Sequence, residues 1–350
     1  MSQHSNDTVS RLRRKIVFYA LAYTLIALVV ISVINIFPLI RDLRSAEDNH
    51  LLLTVKSRAV TIEEYISHLR NIARQITTRS AIRHALRNYE QGTISKKQLA
   101  DFTTPKLADA MNGSEEVVGI TRLDNRNHLV ASCGITIPSI LWPIPRSGES
   151  KVLISDPQLI SGVLYLVAGA PILTQDGRRV GTDIVLFTTS KLEQIVWNPT
   201  GLGKSGDCLL TRLTPQGALV FFPGRQHLYQ GYNRLDASKT FQTALDRAGQ
   251  GQVGLFQVPN DKHTPFRVLA YTPIKNSSWV LLVHIDEGEF YSEVNRTLFS
   301  VVSTALLLTL VAGAGIFLLL RPLTGKVFVY SRELEGLNRQ LQQEIQERSR

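Results

Sequence analysis

The sequence predicts an α+β chain: a long N-terminal helix, then two tandem antiparallel-sheet modules, flanked by two transmembrane helices and closed by a C-terminal coiled-coil helix. Three observations predict it. Ile16–Ile40 and Leu298–Leu320 carry no charge over 25 and 23 residues, and about 20 apolar residues span the ~30 Å core of a bilayer. After the first of these, Val55, Ala59, Ile62, Ile66, Leu69, Ala73 and Ile76 alternate spacings of four and three, a heptad seam. From Glu116 the apolar period falls to two, the period of strands.

The first span continues into Arg41-Asp42-Leu43-Arg44. Its apolar stretch exceeds a signal-peptide core and no A-x-A-like site follows, so it reads as an anchor. Arg11, Arg13, Arg14 and Lys15 precede it, and Arg321 and Lys326 follow the second span. Basic flanks stay inside, which places residues 1–15 and 321–350 in the cytoplasm with the region between the spans outside. The helical pattern breaks at Thr77-Thr78-Arg79-Ser80, resumes at Ile82, Ala85, Leu86 and Tyr89, and stops at Gln91-Gly92. Its stripe fits packing on the chain's own domains, on a second subunit, or on both in turn.

Strands are expected at 117–122, 128–132, 150–154, 163–171 and 180–188. Asp124-Asn125-Arg126-Asn127 turns the first pair and Asp176-Gly177 the last. Between them lies a loop with Pro138, Pro143 and Pro145. A short helix over 190–196 is broken by Asn198-Pro199, and a second unit follows: strands at 207–214 and 219–222 around Pro215-Gln216-Gly217, a helix over 240–248, and strands at 254–258, 266–273 and 279–285. The domains are therefore drawn at 41–197 and 198–295, with spans at 16–40 and 298–320. The tail is helical again, with Val327, Tyr330, Leu334, Leu337 and Leu341 at spacings of three and four and Ile345 one residue late. Ala305, Thr309 and Gly313 share one face of the second span, where small residues let helix backbones approach in lipid. Together these point to a homodimer.

Composition narrows the function. The net charge is +10, but no dense basic run with interleaved aromatics marks a nucleic-acid partner. The eight histidines are scattered singly, without HExxH or paired ligand spacing, and no G-x-S-x-G elbow is present; no metal, cofactor or catalytic residue is assigned. Gly203-Lys204-Ser205 resembles a phosphate loop, but the glycine required five residues before Gly203 is Asn198, so a tight turn into a strand is expected. Cys133 and Cys208 are the two cysteines; outside the membrane they could pair, or serve as small buried hydrophobes.

Three stretches carry a family resemblance: Ala170-Pro171-Ile172-Leu173 with Asp176-Gly177 and Val180-Gly181-Thr182-Asp183-Ile184; Thr200-Gly201-Leu202-Gly203-Lys204-Ser205-Gly206-Asp207 with Gly217; and Val268–Pro273 followed by Trp279–His284. In order and spacing they resemble the double Cache family, the tandem PAS-like extracytoplasmic sensors of bacterial receptors, over about residues 41–295. The resemblance implies a small-molecule ligand in the membrane-distal module, with an aspartate on its last strand holding a ligand amine. Asp183 occupies that place, and a lone carboxylate among Val180, Ile184 and Val185 calls for a cationic partner. The alternative is that Asp183 caps a turn or meets Arg178 or Arg179. The amino-acid-binding subgroup shows an arginine, then a tryptophan and a tyrosine, upstream of this strand; here Trp142 and Arg146 stand in another order, a departure that argues against α-amino-acid recognition, while Trp142, Arg146 and Tyr165 stay beside Asp183 as candidate ligand residues.

Leu341–Arg348 is similar to the linker helix leading into PAS, histidine kinase or diguanylate cyclase domains, and Arg321-Pro322-Leu323 to the entry of a HAMP module whose full helix pair does not fit. The expectation is the sensory part of a two-component histidine kinase with its output past residue 350; the alternatives are a diguanylate cyclase sensor and a two-span structural regulator of surface polysaccharide assembly.

Overall fold

The computed structural model describes residues 2–146, 148–214, 217–222, 234–235, 239–258 and 267–348. Pro215, Gln216 and Phe266, which the expected elements include, lie outside them. The described chain is α+β, with helices at both ends and two antiparallel sheets between, as predicted. Asn49–Phe290 forms one compact unit and the flanking helical segments another.

Helix α1 runs from Ser2 to Thr77. Pro38 lies within it without ending it. The seam from Val55 to Ile76 is buried throughout, so this stripe is consumed within the chain. Each such side chain removed from water is worth about 1.5–3 kcal/mol. Arg79, extended and without a side-chain cap, separates α1 from α2 (Ser80–Glu90). Helix α3 (Lys96–Asn112) was not foreseen. Pro105 inside it hides the period, but Ser95 and Gln98 close a capping box, a start signal present in the sequence.

The first sheet contains β1 (Val117–Asp124), β2 (Leu129–Gly134), β3 (Leu153–Ile154), β4 (Gln158–Ile160), β5 (Val163–Leu173) and β6 (Arg179–Thr188), in the order β2-β1-β6-β5-β3 with β4 also on β5. The expected strand at 150–154 shrinks to two residues. Pro157, which has no N–H to donate, follows Asp156, and the ladder resumes at Gln158. Asn127 takes φ 64 in the β1–β2 turn, a conformation that asparagine tolerates.

Helix α4 (Ser190–Trp197) leads to the second sheet: β7 (Asp207–Thr214), β8 (Gly217–Val220), β9 (Arg234–Leu235), β10 (Gly254–Val258), β11 (Arg267–Pro273) and β12 (Trp279–Asp286), with α5 (Lys239–Gly249) before β10. Its order is β10-β11-β12-β7-β8-β9. Read from the other edge, β8-β7-β12-β11-β10 repeats β2-β1-β6-β5-β3, so the two modules share one topology. Leu209, Leu245, Leu269 and Leu282 centre its core. The Gly203-Lys204-Ser205 turn binds an anion, but the chain supplies it. Glu289, in α6 (Glu287–Phe290), accepts from the Lys204 and Ser205 amides at 2.6 and 2.7 Å. Gly203 has φ +66, and a Cβ there would meet this carboxylate.

Helix α7 (Ser292–Arg348) is continuous through Pro322. Among the described residues, two helices are long and apolar enough to cross a membrane, their apolar windows falling within Ala22–Thr77 and Ser292–Ile316. They are tied together where Tyr291 donates to Asp48 at 2.8 Å and Arg44 lies over the Tyr291 ring. Cys133 and Cys208 are free thiols.

Candidate functional site

Side chains alternate faces along a strand, and residues opposite one another in register share a face. In the first sheet, Thr121, Ile184 and Gly169 are in register, as are Leu186 and Val167, and Thr188 and Tyr165. Arg122, Asp183 and Ala170 are in register on the other face. The sheet therefore presents two distinct faces.

The first side is capped by the proline-rich segment. A Cβ at Gly169 would stand 1.7 Å from the Pro143 carbonyl oxygen; only glycine allows the cap to lie this close. Arg179 donates to the Pro145 carbonyl and the Thr182 hydroxyl, each at 3.2 Å, and the Trp142 indole donates to the Ile137 carbonyl at 3.0 Å. Beneath the cap, Ile137, Ile160, Val167, Ile184 and Leu186 form an apolar layer, with Leu141, Trp142, Ile144 and Tyr165 half-buried against it. Two of the four candidate residues, Trp142 and Tyr165, thus meet in one layer. Arg146 is exposed; its amide donates to Glu149 at 3.0 Å, closing a turn.

Asp183 lies on the other side, where a Cβ at Gly181 two residues before it would meet Leu86 of α2. Its cation is Arg122, whose Nε and Nη2 each donate to one carboxylate oxygen at 2.7 Å, both side chains fully buried. The cationic partner called for by the sequence is therefore supplied by the chain itself, and it is neither Arg178 nor Arg179. Arg178 instead pairs with Glu90. Asp183 is on the face opposite Tyr165 and is fully buried against Arg122. Arg122 escaped notice because its partner is 61 positions away in sequence and only the register unites them.

Other clefts exist. One of 660 Å³ runs between α1 and the second sheet, lined by Lys56, Val60, Glu63, Leu213, Val253 and Lys275 among others. Another, of 90 Å³, is lined by Ser80, Arg83, His84, Arg87, Thr174 and Gln175. In the second module, His284 and Asp207 face each other in register, both buried. Burial and, less strongly, Arg267 push the His284 imidazole down to about 4, while Asp207 opposes the shift. Burial pushes the Cys208 thiol up to about 11.

No family model and no curated protein matches the sequence. Solved structures do match by shape. The extracellular domain of the putative histidine kinase mmHK1S-Z2 aligns with TM-score 0.51 at 11% identity, over 68% of this chain and 97% of that one. The periplasmic sensory domain of the Campylobacter jejuni chemoreceptor Tlp1 aligns with TM-score 0.52 at 14% identity, over 71% and 98%. The sensory domain of the C. jejuni chemoreceptor Tlp3 (CcmL) with isoleucine bound aligns with TM-score 0.51 at 12% identity, over 72% and 97%. Such identities establish fold: this chain has the tandem-sheet fold of the extracytoplasmic sensory domains of histidine kinases and chemoreceptors, the fold that its resemblance to double Cache sensors implied.

Proposed function

We propose that this chain is the sensory part of a receptor histidine kinase of the bacterial inner membrane, working as a dimer with both termini in the cytoplasm. A small molecule binds outside, beneath the Ile137–Arg146 cap of the first module. The carrying observation is that Trp142 and Tyr165 lie half-buried against one apolar layer between the clamped cap and the sheet face it covers. Concave, mostly apolar sites with a few polar tips are where small ligands bind. Shared fold with an isoleucine-bound sensory domain supports an amino acid or a related amine as the first class to test. Asp183 is fully buried in its pair with Arg122; a ligand under the cap would meet hydroxyls, such as Tyr165 and Thr121, and the aromatic faces.

Binding shifts the population of two states by the difference in affinity between them. The test is a thermal-shift screen of the twenty amino acids and simple amines on the full chain in detergent. A ligand at 100 times its Kd stabilises by about 2.7 kcal/mol. At least one compound should raise Tm, and Tyr165→Ala and Trp142→Ala should each weaken the response about tenfold or more in concentration. A response that survives both substitutions would move the site to another cleft. Phosphorylation of the full receptor that changes with the same compound would support the kinase output; cyclic dinucleotide synthesis would replace it with a diguanylate cyclase.

A further inference from the structure

We propose that Asp156 is the coupling element between the capped face of the first module and the second module. It sits between β3 and β4, the short strands at the edge of the first sheet. Both are hydrogen-bonded to one stretch of β5: Ile154 opposes Ala168 and Gln158 opposes Tyr165. Between them the Ser155 amide donates to the Val167 carbonyl at 2.8 Å. The strands that hold Asp156 are therefore zipped to Tyr165–Ala168, which carries Tyr165 and Val167 under the cap. Ile160, at the end of β4, is itself in that layer.

The carboxylate faces the other module. One oxygen accepts from the Trp279 indole at 2.8 Å, and the other from the Arg212 guanidinium. Trp279 and Arg212 are directly opposed on β12 and β7, so one side chain of the first module grips one rung of the second sheet. Trp279 is buried and packs on Phe221 at 5.6 Å, which makes the rung stiff. The Asp156 side chain is only 13% exposed, and its own carbonyl accepts from Ser155 Oγ at 2.7 Å and Gln158 Nε2 at 3.2 Å, which fixes its direction. Beyond Trp279, β12 runs through α6 directly into α7. Hydrogen bonds to a charged group are short and directional, so a shift of β3–β4 breaks this grip outright, the discrete behaviour that a switch needs.

The proposal takes the capped face as the ligand site, but its test needs no ligand. Val167→Ala opens a small cavity under the cap, and Trp142→Ala a larger one; if the larger prevents folding, the smaller suffices. Amide hydrogen exchange is read on the full chain in detergent. In the otherwise native chain, the cavity should speed exchange in β3–β5 and also, by about tenfold, in β7 and β12. With Asp156→Ala the first module should respond as before while β7 and β12 change less than about twofold. Arg212→Ala should uncouple them in the same way, and the double variant no further than either single one. The proposal is overturned if β7 and β12 never respond to the cavity, if they respond equally with Asp156→Ala, or if the two uncoupling effects add. Failure of the ligand reading shows up separately, as an amino-acid screen without hits or one indifferent to Trp142 and Tyr165.

Discussion

Arg122 and Asp183 illustrate how little a single residue reveals without its register. From sequence, Asp183 demanded a cation, and that demand was correct; the identity of the cation followed only from pairing β1 with β6. The consequence for mutation is stability. Removing one partner of a buried ion pair strands the other charge, at a cost of about 3–5 kcal/mol. Asp183→Asn should therefore lower the denaturant midpoint markedly, and Arg122→Met with Asp183→Leu should recover much of the loss, since apolar isosteres replace such pairs well. A midpoint unchanged by Asp183→Asn, with ligand affinity reduced, would return this residue to the binding site. His284 gives a pH signature. Its imidazole stays neutral in the fold down to about pH 4, whereas in the unfolded chain it protonates below about 6.5. Between these values the unfolded state holds more protons, so stability falls as pH drops through that window, by up to about 3 kcal/mol. Glu116 and Glu289 have lowered pKa values and act below the ordinary carboxylate range, outside the window. Stability measured from pH 7 to 4 should slope downward in the native chain and flatten with His284→Gln; an unchanged slope would assign the effect to other groups.

At the scale of elements, strongly periodic segments were readable: the buried α1 seam, the break at Arg79, the hairpin at Asp176-Gly177 with its two strands, and the three closing strands of the second module. What escaped was α3, where Pro105 interrupts the pattern, and the edge strands β4 and β9, which at three and two residues leave no period to detect. The candidate site was half legible. Trp142 and Tyr165 drew attention as aromatics beside a proline-rich loop, but the clamp by Arg179 and the close approach at Gly169 depend on how the cap crosses the sheet. That approach can be tested. At Gly169 an added methyl would overlap backbone, which cannot swing aside as a side-chain end can. Gly169→Ala should lift the cap, destabilising the first module by about 1–3 kcal/mol and exposing Trp142, whose fluorescence should shift to the red. Retained stability with unshifted emission would show that the cap is not held by this contact.

For the whole molecule, the proposed dimer raises the question of which surfaces would meet a second copy. The small residues of the second span mark one face in the sequence, and the tail seam continues along the same helix. Val301, Ala305, Thr309 and Gly313 form the partly shielded stripe of α7, continuous with buried Tyr291 and Val294. At the start of α7, Tyr291 donates to Asp48 and lies under Arg44 of α1. Leu337 and Leu341, by contrast, are 59% and 49% exposed, and exposed apolar residues at heptad spacing are what a partner helix covers. Single cysteines placed from Ala305 to Ile345, in a background with Cys133 and Cys208 replaced by serine and alanine, should therefore form disulfide-linked dimers most readily at Leu337 and Leu341 and poorly at Ala305, Thr309 and Gly313. The same set tests topology: a membrane-impermeant maleimide should label a cysteine at Asn125 in intact cells and spare one at Gln340. Crosslinking that peaks on the small-residue face would put the dimer contact in the membrane. It would then make the tail seam a follower of the span, and a signal passing along α7 would have to rearrange the α1–α7 contact before it reached the cytoplasm.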